Sequence, residues 1–269
     1  MRQRSTFVFT MMAFGYAFLY LPIFSVVLYS FNASRLVTVW GGFSTRWYGA
    51  LFHNETILQA TGRSLLVAAM AATLAVAIGT LAAVAFTRFQ RLRARPLLSL
   101  MTSAPLVMPE VMLGLSALLL FVGLQQWIGW PAGRGLMTIT IAHTTFCCAY
   151  VTVIVQSRLA QMDESLEEAA LDLGARPWKV FFLVTLPVIF PALAAGWLLA
   201  FTLSLDDLVV ASFVSGPSST TLPMLIYSKV KFGVTPEINA LATLIVLVVT
   251  SLIVAATLVM GRRNANPLR

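Results

Sequence analysis

No Asp, Glu, Lys or Arg occurs between Arg4 and Arg35. A helix needs about 20 consecutive apolar residues to cross the hydrocarbon core of a bilayer, and the run 7–31 is long enough. The pattern then recurs. Residues 64–87 carry no charge and are rich in alanine (Ala68, Ala69, Ala71, Ala72, Ala75, Ala77), and small side chains let helices approach closely in lipid. Residues 100–125 carry one charge, Glu110, and residues 136–155, 180–205 and 238–261 carry none. These runs predict an all-α, polytopic membrane protein, with six transmembrane helices in a single domain over 1–269. A seventh charge-free stretch, 208–228, contains Gly216-Pro217-Ser218-Ser219-Thr220-Thr221. That is too polar to face lipid. Irregular backbone at membrane depth survives only inside protein or beside water, so the stretch reads as a short helix or re-entrant segment near the outer face.

Composition narrows the function classes. Charged residues are 10% of the chain and hydrophobic ones 59%, against about 25% charged in a soluble domain. An ordinary soluble enzyme and a disordered chain are both excluded. Arg2 and Arg4 before an apolar run resemble a signal peptide, but the run exceeds an h-region of about 7–15 residues and no small-x-small site follows. It reads as a retained first helix. The net charge of +8 would point to nucleic acid in a soluble chain. Here the charges sit in short loops. Of the 18 Lys and Arg, twelve fall on the side of the two termini and six on the other, which predicts cytoplasmic termini and no nucleic-acid partner. The four arginines Arg88, Arg91, Arg93 and Arg95 read as topology anchors near anionic membrane lipid. Two adjacent cysteines, Cys147 and Cys148, inside an apolar run form no disulfide framework. With only two histidines beside them, a metal site is not expected. His143 reads as a hydrogen-bonded histidine within the bundle. Asn32-Ala33-Ser34 and Asn54-Glu55-Thr56 fit the glycosylation pattern, which a bacterial origin would make meaningless.

The loop between the fourth and fifth runs holds five of the ten acidic residues: Asp163, Glu164, Glu167, Glu168 and Asp172. Met162, Leu166, Ala169, Ala170 and Leu173 recur at helical spacing. Glu164, Glu168 and Asp172 fall four apart on an adjoining face. Gly174 is placed to stop the helix at a C′ position. The spacing predicts a short amphipathic helix within 162–174, on the cytosolic side. An acidic helix suits anionic lipid badly and suits a partner's groove well.

Glu168-Ala169-Ala170, then three residues, Gly174, nine residues and Val184-Thr185-Leu186-Pro187 resemble the EAA loop of bacterial ABC-importer permeases, EAA-x3-G-x9-I-x-L-P. Val184 in place of Ile is the one departure. The resemblance implies the type I importer permease fold, with this helix docking on a cytosolic ATPase through Glu168, Ala169, Ala170, Gly174, Leu186 and Pro187. It also implies that ATP and magnesium are held by that ATPase. The chain itself lacks a G-x4-G-K-[ST] loop, so it is read as no enzyme, with no catalytic residues and no cofactor of its own. One chain offers one such helix to an ATPase dimer, which calls for a second permease subunit, like or unlike; the resemblance implies a heterodimer.

The segments 104–110, 142–147, 196–207, 212–217 and 236–243 resemble the polyamine (putrescine and spermidine) permeases, most closely the second permease subunit of a putrescine system. The resemblance implies a bacterial inner-membrane location and a periplasmic polyamine-binding protein that docks on the outer loops 32–63 and 214–236. An ionisable group within a span is costly and usually faces a cavity or a partner. Glu110, after Pro105 and Pro109 break the third helix, and Asp206 and Asp207, at the outer end of the fifth run, suit a cationic cargo. Trp197, Phe201 and Tyr227 are candidates for cation–π contact. Other readings stand beside these. Asp206 is placed to cap the helix that follows, with Asp207 in its first turn. Glu110 is placed to meet backbone freed at Pro109, and Trp197 and Phe201 fall four apart, as packing residues do. A permease for another small solute, such as an amino acid, carries the same EAA loop. An ion-coupled secondary transporter, with carboxylates relaying protons, has no use for it.

Overall fold

The computed structural model describes residues 2–36, 39–89, 93–233 and 235–264, with side chains described from 6 to 251 within them. Arg91 and Arg269, and the side chains of Arg2, Arg4, Arg262 and Arg263, which enter the charge asymmetry, lie outside the described residues. The described backbone is almost entirely helical: α1 Arg2–Ser30, α2 Arg46–His53, α3 Glu55–Arg88, α4 Arg95–Val107, α5 Glu110–Ile128, α6 Leu136–Ala160, α7 Ser165–Asp172, α8 Pro177–Val180, a π-helical turn Phe181–Thr185, α9 Leu186–Asp206, α10 Val209–Val214, α11 Leu222–Phe232 and α12 Pro236–Asn264. Among the described residues, five helical stretches are long and apolar enough to cross a bilayer: Thr6–Ser30, Glu55–Arg88, Glu110–Ile128, Leu136–Ala160 and Pro177–Asp206. A shorter apolar stretch, Pro236–Ser251, accompanies them.

The third expected run, 100–125, is broken as its prolines predict, but at Pro109 alone. Proline has no N–H and pushes the residue before it into extended backbone. Met108 (ψ 139°) and Pro109 (ψ 139°) are extended, so α4 stops at Val107 and α5 begins at Glu110. Pro105 sits inside α4 without ending it. The stretch 208–228 forms α10, a turn and the first part of α11.

The chain divides into two compact units. The first comprises Met1–Leu58 and Ile226–Arg269, where α12 packs on α1 and α2. Its organiser is Asn32, fully buried at 0% exposure. The Asn32 side chain donates to the Val39 carbonyl at 2.8 Å and accepts from the N–H groups of Gly41 (2.8 Å) and Ser34 (3.1 Å). Its backbone carbonyl accepts from Trp47 Nε1 at 2.7 Å. A buried amide is tolerated only when satisfied, and here it holds the segment after α1 in shape.

The second unit is Gln59–Leu225. Its centre is α6, two-thirds of whose apolar window is buried. Ala72, Ala75 and Ala83 of α3, Cys147, Val151 and Val155 of α6, and Ile189 and Ala200 of α9 make one core cluster. Val67, Phe121, Ile139, Ala142 and Val210 belong to a second, which joins α3, α5, α6 and α10. Small residues set the α3–α6 distance. A Cβ at Gly79 would lie 3.0 Å from the Val151 side chain and 3.1 Å from the Cys148 carbonyl. Gly79→Leu is therefore expected to lower the thermal midpoint of the detergent-purified transporter by overpacking, about 1–3 kcal/mol. Gly62→Leu, on the same helix with nothing within 4 Å, serves as the control, and equal effects would contradict the close contact.

Candidate translocation cavity and coupling helix

Three of the predicted carboxylates are brought to one place. A cavity of about 430 Å³ within the second unit is lined by Pro105, Leu106, Met108, Pro109, Glu110 and Leu113 from α4 and α5, and by Phe146 and Tyr150 from α6. Leu203, Asp206, Asp207, Leu208 and Val209, at the junction of α9 and α10, complete it. The breaks in the helices create the site. The extended Met108-Pro109 pair starts α5 at Glu110, and its carboxylate falls in the first turn, where the helix dipole favours negative charge. The extended Asp207 (ψ 125°) ends α9.

The three carboxylates are not equivalent. Glu110 and Asp206 are exposed, whereas the Asp207 side chain is 4% exposed. Asp207 accepts from the N–H groups of Val210 (3.3 Å) and Ala211 (2.7 Å) and so caps α10. The sequence offered that role to Asp206; the structure gives it to Asp207. His143, 1% exposed, places Nε2 3.1 Å from Asp207 Oδ2, though without the alignment of a hydrogen bond. His143 Nδ1 lies 2.7 Å from Ser204 Oγ. His143 is thus the bundle histidine its sequence setting predicts. Ser204 is itself buried and lies within α9, so the Ser–His–Asp set ties α6, α9 and α10 together rather than presenting a nucleophile.

The aromatic expectations fare differently. Trp197 and Phe201 stack on each other at 5.1 Å and pack against the α3–α6–α9 core. Trp197 Nε1 donates to Thr73 Oγ1 at 3.1 Å. Neither lines the cavity, because their common face of α9 is turned to α3. Tyr227 is exposed on α11, in the other compact unit. The aromatics beside the carboxylates are Phe146 and Tyr150, missed in the sequence although they fall four apart on α6, as one helical face requires.

The acidic loop forms its helix as expected. Asp163 Oδ1 accepts from the Ser165 N–H at 3.0 Å, and that bond holds the Asp163 carboxyl below the usual carboxylate range. At the other end Gly174 adopts φ +83°. The Ala175 N–H reaches the Ala170 carbonyl (3.1 Å) and the Gly174 N–H reaches Leu171 (2.9 Å), the two bonds of a Schellman cap. So the last alanine of the EAA triplet supplies the carbonyl that the glycine cap satisfies. Glu168 and Ala169 are exposed and Ala170 is half-buried. Leu186 and Pro187 open α9 directly after the π-turn. Pro187 cannot donate to a carbonyl four residues back, and a widened turn before it accommodates that loss.

The family model described as "binding-protein-dependent transport system inner membrane component" matches residues 75–264. The putrescine transport system permease protein PotI of Escherichia coli strain K12 is 60% identical over 90% of this chain and 86% of its own length. The spermidine/putrescine transport system permease protein PotC of Haemophilus influenzae is 43% identical over 97% of both chains. Among solved structures, a bacterial ABC transporter involved in the import of the acidic polysaccharide alginate superposes with TM-score 0.72 over 97% of this chain and 96% of that one, at 16% identity. The MetNI methionine ABC transporter does so with TM-score 0.56 over 82% and 97%, also at 16% identity. These likenesses place the helical arrangement among ABC-importer permeases. The chain is a multi-pass membrane protein and belongs to the family of binding-protein-dependent transport system inner membrane components.

Proposed function

We propose that this chain is the permease subunit of an ABC importer that carries polyamine, putrescine first and spermidine second, through the cavity between α5 and α9. The observation that carries the reading is the pair of exposed carboxylates, Glu110 and Asp206, in one 430 Å³ cavity with Phe146 and Tyr150. A diammonium ion loses hydration on entering a membrane, and carboxylates and aromatic faces replace part of it. Asp207, held by α10 and His143, supports the site without offering its charge. A zwitterionic amino acid would bring its own carboxylate against Glu110 and Asp206, so the cavity favours an all-cationic cargo. The 60% identity to a putrescine permease points the same way.

In this reading the helix within 162–174 couples the permease domain, 1–269, to a cytosolic ATPase dimer that holds ATP and magnesium; the chain holds no cofactor. Glu168 and Ala169 meet the ATPase, and Ala170, Gly174, Leu186 and Pro187 fix the helix that presents them. A second permease subunit completes a heterodimer, a periplasmic polyamine-binding protein delivers the cargo, and both termini are cytoplasmic in a bacterial inner membrane.

Glu110→Gln and Asp206→Asn are each expected to lower maximal putrescine uptake about tenfold, the loss of one charge-assisted hydrogen bond. Cargo affinity of the binding protein should not change. Asp207→Asn is expected to lower the amount of folded permease instead. Unchanged uptake in both of the first two variants would remove this cavity from the route. Gly174→Ala puts a side chain at φ +83°, a cost of about 1–2 kcal/mol. It is expected to reduce the ATPase retained on purified permease while membrane insertion is unchanged, and full retention would contradict the docking role.

A further inference from the structure

Of the five acidic residues in the coupling loop, four are exposed and Glu167 is not. Its carboxylate is used on both oxygens. Oε2 lies 2.9 Å from Arg88 Nε, and Oε1 accepts from the Thr185 hydroxyl at 2.5 Å. Arg88 also reaches Glu164 Oε1 at 2.8 Å through Nη1. Arg88 is the last residue of α3, where the carbonyl end of a helix favours a cation. Thr185 is the last residue of the π-turn that leads into α9, and its side chain is buried. One residue of the short cytosolic helix is therefore ion-paired with the end of α3, though without the alignment of a hydrogen bond, and hydrogen-bonded at the base of α9.

We propose that Glu167 is a positioning residue that passes movement of α7 to α3 and α9. The inference rests on the coupling role given above to 162–174. Exposed ion pairs contribute little, because water screens them and long side chains lose freedom. This pair differs, since the Arg88 side chain is 20% exposed and that of Glu167 18%. Water screens an ion pair less at this burial, and the Thr185 hydroxyl gives the same carboxylate a directional, charge-assisted hydrogen bond. The helices it holds are long. The 21 residues of α9 span about 31 Å and end at Asp206 in the cavity. A shift of α7 that leaves Glu167 bonded must move the base of α9 with it. Glu168, one residue on and exposed, is left to face the ATPase, so adjacent glutamates divide the work between two partners.

The test uses the whole transporter in liposomes: this chain, its partner permease, the ATPases and the binding protein. The readout is ATP hydrolysis with binding protein divided by hydrolysis without it, beside the amount of ATPase retained on the permease. Glu167→Gln is expected to lower that ratio about tenfold, equivalent to about 1.4 kcal/mol of coupling, with basal hydrolysis and retained ATPase unchanged. Thr185→Val, which removes only the hydroxyl, is expected to lower it less. Arg88→Glu combined with Glu167→Arg is expected to recover part of what either single exchange loses, which a folding defect would not do. A wild-type ratio in Glu167→Gln overturns the proposal. So does loss of the ATPase in that variant, which would make Glu167 a docking residue, or an exchange pair no better than its single members. If Glu168→Ala and Gly174→Ala also leave the ratio and the retained ATPase untouched, the coupling reading of the loop fails with it. If those two fall and Glu167→Gln does not, this inference alone fails.

Discussion

A peptide group in hydrocarbon has no water to bond to, and the arrangement of this chain follows from that constraint. Every interruption of a membrane helix frees backbone donors and acceptors that must be met locally. At the end of α9 the Asp207 carboxylate takes the Val210 and Ala211 N–H groups in the first turn of α10. The interruption at Met108-Pro109 uses a residue that has no N–H to satisfy. These two breaks face one cavity, and the polar groups they bring to membrane depth are the ones the proposed polyamine route uses. Irregular backbone and ionisable side chains thus occur together because each is tolerable only where the other, or a cavity, is present.

The same reasoning explains the division of labour among the carboxylates. A carboxylate that accepts two backbone N–H groups and sits beside a buried histidine is already compensated. Asp207 is of this kind, and it fixes the junction from which Asp206 projects one residue earlier. Glu110 and Asp206 stay exposed in the cavity instead. Beside the base of α9, Glu167 is ion-paired with Arg88 and accepts from Thr185, while Glu168 stays exposed. In both places adjacent acidic residues have opposite surroundings, set by where the backbone turns.

Periodicity and charge spacing made the membrane helices and the acidic helix legible in the sequence, because a charge-free run of membrane length and a glycine stop have few structural meanings. The break in the third run was legible but its place was not, since composition registers Pro105 and Pro109 alike, whereas only the second ends a helix; Pro105 is accommodated within α4. The three carboxylates could be found, but not ranked. Asp207 caps α10 because the chain leaves the α9 helix at its extended backbone, which the adjacent pair of aspartates does not reveal. Which aromatics border the cavity was not legible for a related reason. Trp197 and Phe201 share a helical face as clearly as Phe146 and Tyr150 do, and only the packing of α9 on α3 decides which pair borders the cavity. Asn32 shows the converse, a residue whose sequence pattern suggests glycosylation and whose complete burial assigns it to loop architecture.

The central claim is that this chain is an ATP-coupled route for a small organic dication. Uptake of labelled putrescine and spermidine in transport-deficient bacteria, with the full set of transporter components and with this chain alone omitted, tests it most directly. Energy-dependent uptake that disappears on omission, with putrescine taken up faster than spermidine, is the predicted result. Uptake that persists without this chain would contradict the account and return Glu110 and Asp206 to the service of helix ends.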